Sequence, residues 1–165
     1  MERFTAVSFS GAKLNIYRAT PTNRPKAVVH ISHGMAEHAK RYAWFMQVLK
    51  EAGYAVYAHD IRGHGYTYAK NSSKGHFSDK HGLDQLLHDL DFVIDLIKQN
   101  HPKIPIFCFG HSLGSILLLR YVTHAYYRIN GIACWNSGIE TNLLAVIGRI
   151  IPVSYTHLRA HETSQ

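Results

Sequence analysis

Apolar and polar residues alternate through Arg3 to Phe9 and again through Leu14 to Ala19, on either side of Ser10-Gly11. A period of two around such a turn predicts a hairpin of two half-buried strands. Beyond the Pro-bounded link "TPTNRP", the run Ala27 to Ile31 is short, continuous and β-branched, the pattern of a strand covered on both faces. Tyr54 to Ala58, Ile104 to Phe109 and Gly131 to Trp135 repeat it. Helical spacing fills the gaps. Tyr42, Phe45, Met46 and Leu49 fall at i, i+3, i+4, i+7 before a stop at Gly53, while Leu83, Leu86, Leu87, Leu90, Ile94 and Ile97 mark a longer helix and Ser115 to Val122 a third. Strand alternating with helix predicts an α/β fold: a mostly parallel sheet with helices on both faces, preceded by an antiparallel hairpin. The segment "TYAKNSSKGHFSDKHG" is expected to be a polar surface loop.

Composition narrows the class. With 165 residues, 46% of them hydrophobic, the chain is one domain's worth and can bury a core. No apolar h-region opens it, and runs such as "ILLLRYV" are short or broken by Arg, so neither a signal peptide nor a membrane span is expected, and a cytoplasmic location is the default. Cys108 and Cys134 sit in apolar runs and are expected to be small core hydrophobes. The net charge is +7, but Lys and Arg are scattered and never form a run of five, which points to solvated surface and away from a nucleic-acid partner. Thirteen histidines form neither H-E-x-x-H nor a Cys/His pair at finger spacing, so no metal and no cofactor is expected.

The chemistry concentrates at "FCFGHSLGSILLLRY", where Gly110-His111-Ser112-Leu113-Gly114 fits G-x-S-x-G. The strand Ile104 to Phe109 runs into the motif and an apolar helix leaves it. Gly110 and Gly114 then permit a strained strand-to-helix turn that lifts Ser112 Oγ clear of the sheet at the positive end of that helix. An acyl-transfer nucleophile also needs donors aimed at the developing oxyanion. The backbone N–H of Leu113 is one candidate. The His33-Gly34 turn after an earlier strand makes the Met35 N–H the other. His111 precedes the nucleophile on a tight turn, points away from it, and is expected to pack.

The ordered motifs "HGMAEHAKRY", "DIRGHGYT" and "GHSLGS" resemble the α/β-hydrolase branch that contains monoacylglycerol lipases, lysophospholipases and the serine aminopeptidase S33 group. The likeness runs from about Phe9 to about Ile151, with Thr67 where Ser is usual. It implies Ser112 as nucleophile and the Met35 and Leu113 N–H groups as oxyanion donors. It further implies that Glu37, His38, Arg41 and Tyr42 order the oxyanion loop, while Asp60, Arg62, Gly63, His64 and Gly65 shape the turn after the next strand; both groups read as scaffold.

In this fold the triad acid and histidine follow the nucleophile in the chain. Downstream of Ser112 stand Glu140, Glu162, His124, His157 and His161. His124 lies too far along the helix after the elbow to reach back. The stretch "VSYTHLRAHET", Val153 to Thr163, has no apolar period, strand signal or cap, and it resembles one reading frame of a transposase sequencing-library adapter over eleven consecutive residues. His157 and His161 are therefore not nominated. The expectation is a partial α/β-hydrolase domain over residues 1–151, truncated after about the sixth strand, with Asn142 to Ile151 opening a lid region and residues 152–165 a non-native tail.

The expected function of the parent is hydrolysis of a carboxylic ester, most readily a monoacylglycerol or lysophospholipid, through an acyl-enzyme on Ser112. The chain as given is expected to be inactive for want of the triad acid and histidine. Aminopeptidase, thioesterase and acyltransferase chemistry are alternatives on the same fold, and a non-catalytic binding protein is an alternative of another class. Transient contact with a membrane surface is compatible with the basic surface and a lipid ester.

Overall fold

A computed structural model of the chain describes residues 1–137. Glu140, the Asn142 to Ile151 segment, the Val153 to Thr163 tail and its His157, His161 and Glu162 lie outside the described residues. The elements are β1 (Glu2–Val7), β2 (Lys13–Ala19), β3 (Val28–Ser32), α1 (Ala43–Glu51), β4 (Ala55–His59), α2 (Gly82–Asn100), β5 (Ile106–His111), α3 (Leu113–Ala125) and β6 (Gly131–Trp135). One six-stranded sheet runs in the order β1-β2-β4-β3-β5-β6. β1 and β2 form the antiparallel hairpin, β2 joins β4 antiparallel, and β3 pairs in parallel with β4 and β5, as β5 does with β6.

Helices cover both faces, each against its own apolar layer. Leu14, Ile16, Val28, Ala55, Tyr57, Ile106 and Cys108 meet Leu86, Leu90, Ile94 and Ile97 of α2 and Leu117 and Leu118 of α3. On the other face Tyr17, Ile31, Val56 and Ala58 meet Met46 of α1 and the adjoining Ala39. The helical spacing thus turns inward as expected, apart from Leu83, which is 46% exposed at the start of α2.

Two further expectations are corrected. β2 is not half-buried: Leu14, Asn15, Ile16 and Tyr17 are all buried, because on the face away from α2 Tyr17 packs with Met46 and Ala39 and the loop after β4 covers Asn15. The Asn15 N–H donates to Thr67 Oγ1 (3.0 Å) and Asn15 Nδ2 to Asp60 Oδ2 (2.8 Å), so a side chain read as solvent-facing is hydrogen-bonded under that loop. Cys134 lies exposed on β6, whereas Cys108 is buried in β5, where lack of solvation pushes its thiol up to about 12.

Candidate active site

Parallel pairing puts the C-terminal ends of β3 and β5 side by side, with Ser32 opposite Gly110. From β5 the chain turns directly into α3 through Ser112, whose φ of 51° and ψ of −114° lie where few non-glycine residues are found. The strain resides in Ser112 itself; the flanking glycines serve close approach. A Cβ on Gly114 would stand 2.0 Å from the Ser32 carbonyl oxygen, and one on Gly110 2.6 Å from the Ser115 nitrogen. The elbow is also tied to the neighbouring strand. The Ser112 N–H donates to the Trp135 carbonyl (2.9 Å), and Ser115 Oγ donates to the Gly110 carbonyl (2.7 Å) and accepts from the Trp135 N–H (3.2 Å). Ser112 makes no side-chain capping bond to α3, and Leu113 opens that helix, where backbone N–H groups lack intrahelical partners.

The loop after β3 is held by one carboxylate. Glu37 Oε1 accepts from the Gly34 N–H (2.6 Å), Tyr42 Oη (2.7 Å) and His111 Nδ1 (2.7 Å), and Arg41 Nε lies 3.6 Å from Oε2. Burial alone would raise the Glu37 carboxyl, but the bonds from Tyr42, His111 and Gly34 outweigh it and hold the group below the ordinary glutamate range. Burial, then Glu37, raises the Tyr42 phenol. Because Glu37 takes the Gly34 N–H, that group is committed to the loop, and Met35 follows it with an exposed side chain. His111 does pack, as its position before the nucleophile suggested, and it does so by joining the elbow to this loop.

Two further histidines nearby, His33 and His64, are occupied as well. His33 donates from Nδ1 to the Gly34 carbonyl (2.7 Å) and accepts at Nε2 from the Ile61 N–H (2.9 Å), which fixes a neutral ring; burial lowers its pKa to about 4. His64 Nδ1 donates to the Arg62 carbonyl (2.9 Å). Asp60 accepts from the Ala39 and Tyr66 N–H groups (2.8 and 2.9 Å) as well as from Asn15, and Thr67 Oγ1 donates to the Asp60 carbonyl (2.6 Å). Arg62, 1% exposed, pairs with Asp89 of α2 at 2.5 Å, and its guanidinium also bonds Ser10 in the β1–β2 turn.

The structure therefore brings Ser112, Leu113, Gly110 and Gly114 together at the elbow and sets the Gly34-Met35 loop beside it. His124 stands at the far end of α3, about 17 Å along the helix at ~1.5 Å per residue. Sequence reasoning missed the Arg62–Asp89 pair, which nothing in the spacing of those residues signals, and the His111–Glu37 bond: Glu37 was read as scaffold and His111 as packing, with no link between them. Among the described residues no group of His, Cys, Asp or Glu side chains could hold a metal ion, and no helix is long and apolar enough to cross a membrane.

A mixed sheet of this order, wrapped by helices on both faces and turning from strand to helix at a strained serine, defines an α/β-hydrolase. Solved structures agree: a thermostable carboxyl esterase from Bacillus coagulans superposes with a TM-score of 0.68 at 29% identity, over 81% of this chain and 43% of that one, and a lipase in its open form gives 0.66 at 27%, over 81% and 43%. The chain belongs to the family described as serine aminopeptidase, S33, which it matches over residues 23–161, a span that runs into the stretch read as a foreign tail. It is similar to a monoacylglycerol lipase of Mycolicibacterium smegmatis (36% identity over 62% of this chain and 34% of the relative) and to the rat monoglyceride lipase (33%, over 59% and 30%). Phospholipase YtpA of Bacillus subtilis matches at 32% over 67% of this chain and 40% of its own length. The chain thus spans roughly a third of the curated relatives it matches.

Proposed function

We propose that this chain is the nucleophile-bearing part of a serine hydrolase that cleaves carboxylic esters of lipids, with monoacylglycerol or lysophospholipid as the substrate class. Ser112 Oγ loses its proton to the triad histidine and attacks the acyl carbonyl, and the N–H groups of Met35 and Leu113 receive the oxyanion. The ester C–O bond breaks as the histidine returns that proton to the departing alcohol, and water then cleaves the acyl–Ser112 ester to free acid and serine. The observation that carries the reading is the backbone of Ser112, held at φ 51° between two glycines that neighbouring backbone leaves no room to enlarge. The names of the relatives support the ester and lipid class.

In this fold the triad acid and histidine follow the nucleophile, and between Ser112 and residue 137 stand no Asp or Glu and one histidine, His124, which is remote at the far end of α3; His33 and His111 are hydrogen-bonded elsewhere. The triad acid and histidine accordingly come from outside that span, and His157 and His161 are not assigned the role. This chain by itself hydrolyses esters orders of magnitude more slowly than a complete enzyme, retaining only oxyanion and binding contributions. Residues 152–165 are read as foreign to the enzyme; a long read of the source DNA across the codons for Arg149 to Ser154 tests that.

A fluorophosphonate probe tests the central claim. In a complete domain, labelling at Ser112 that Ser112→Ala abolishes is the expected result, as is hydrolysis of p-nitrophenyl esters in preference to aminoacyl anilides. Anilide turnover above ester turnover would make it an aminopeptidase. Absence of labelling in a folded, complete domain would leave a non-catalytic binding protein.

A further inference from the structure

Residues 3–13 and 63–78 contain Arg3, Lys13, Lys70 and Lys74 and not one Asp or Glu. The two segments adjoin in space. Lys13 and Tyr68 exchange backbone hydrogen bonds (2.8 and 3.0 Å), and the Arg3 guanidinium lies 4.1 Å over the Tyr66 ring. Their apolar side chains face outward: Val7 is 64% exposed, Phe9 70%, Tyr66 64% and Tyr68 65%, although Phe9 rests edge-on against Phe92. All four cationic residues are exposed as well.

Strand direction places this patch. β2 runs antiparallel to β4 with Ile16 opposite His59, so the Lys13 end of β2 and the β1–β2 turn lie beyond the C-terminal end of β4. β3 and β5 run parallel to β4 and end on the same rim at Ser32 and His111. The patch therefore borders the edge of the sheet from which Ser112 rises.

We infer that this rim patch docks the protein on an anionic lipid surface, with the Ser112 edge turned toward the lipid. The inference rests on the lipid-ester reading above. Tyrosine suits the level of the headgroups, lysine and arginine attract an anionic leaflet while laying their stems on apolar surface, and Val7 and Phe9 gain only from an apolar phase. The absence of carboxylates over both segments removes the repulsion that would oppose such contact. Nucleic acid could use the same cations, but Val7 offers a base nothing to stack on or bond to.

The test is flotation of the full chain with vesicles of phosphatidylcholine containing phosphatidylserine, against phosphatidylcholine alone; aggregate stays at the bottom of the gradient. Binding is expected only with phosphatidylserine and is expected to weaken as salt rises. Lys13→Glu with Lys70→Glu should lower the partition coefficient about tenfold or more, and Phe9→Ser with Tyr68→Ser several-fold, with far-UV circular dichroism unchanged. Tyr126→Ser with Tyr127→Ser removes an equally exposed pair beyond the far end of α3 and should change nothing. Equal binding to both vesicles, no flotation, a loss caused by the Tyr126/Tyr127 pair, or displacement from vesicles by a single-stranded oligonucleotide overturns the inference. Fluorophosphonate labelling of Ser112 is read on the complete domain and stands or falls separately.

Discussion

β4 and β6 are both five-residue strands with apolar sequences, AVYAH and GIACW, yet every residue of β4 is buried while Ala133, Cys134 and Trp135 of β6 are exposed. Neighbours account for the contrast. β4 has strands on both edges and packed layers on both faces, and the loop after it is fastened down by Asp60 and Arg62. β6 is an edge among the described residues, and Phe107 of β5 and Ile116 and Leu119 of α3, near it, are exposed by 43, 51 and 43%. Apolar character in a short strand therefore reports what the strand can bury, and the elements around it decide whether it does.

The largest effect is expected where the covered side is held by charge. Asp89→Ala leaves Arg62 buried without its partner, which costs about 3–5 kcal/mol and is expected to prevent stable folding. Urea unfolding followed by circular dichroism checks it; a loss near zero would mean that Ser10 and Asn71 suffice for the guanidinium. Packing should separate the two regions next. Leu90→Ala, at a fully buried site, is expected to cost about 2–5 kcal/mol, and Leu119→Ala no more than about 0.5 kcal/mol. Equal losses would show that Leu119 is covered in solution and dissolve the contrast.

Acid should also act on the covered side. Burial, joined by the charges of His59 and His33, depresses His30; burial depresses His59 against the pull of Asp89 and Asp60; burial brings His33 to about 4. His30 Nε2 and His59 Nδ1 lie 3.0 Å apart in the core, an arrangement for neutral rings. Between 6.5 and these lowered values the unfolded chain binds more protons than the native one, so stability is full above about 6.5 and falls as pH drops. Each histidine adds a slope of up to about 1.4 kcal/mol per pH unit. Urea midpoints at neutral pH and near pH 5 measure it, and a flat profile would show these rings to be solvated.

Alternation around Ser10-Gly11, four short continuous apolar runs and the helical or apolar segments between them sufficed for the six strands and three helices of the described residues, because each pattern reflects how many apolar layers one contiguous element meets. They located the elbow too, since strand, glycine, serine, glycine and helix are contiguous in the chain. Long-range polar contacts were illegible. Nothing at Asn15 announces that Thr67 and Asp60 will cover it, and nothing at Arg62 points to Asp89, because such partners are set by where a loop lands after the sheet has formed. The same limit applied to Cys134, whose apolar setting resembled that of Cys108 while its place at the sheet edge did not.

The smallest change in stability should accompany a visible change in behaviour. Among the described residues Phe107, Ile116, Leu119 and Trp135 leave apolar side chains beside a strand edge without a partner, a combination that favours association between copies. Ile116→Lys combined with Leu119→Lys adds charge to the outer face of α3 without removing a buried contact, so the unfolding free energy should move by about 0.5 kcal/mol or less. The soluble fraction after expression should nevertheless rise, since the new charges repel a second copy. Light scattering of the purified chain and of the double variant at matched concentration reads the difference. If the variant aggregates as much as the parent, association begins from β6 backbone pairing, and Cys134→Lys, on the edge strand itself, becomes the substitution that restores solubility.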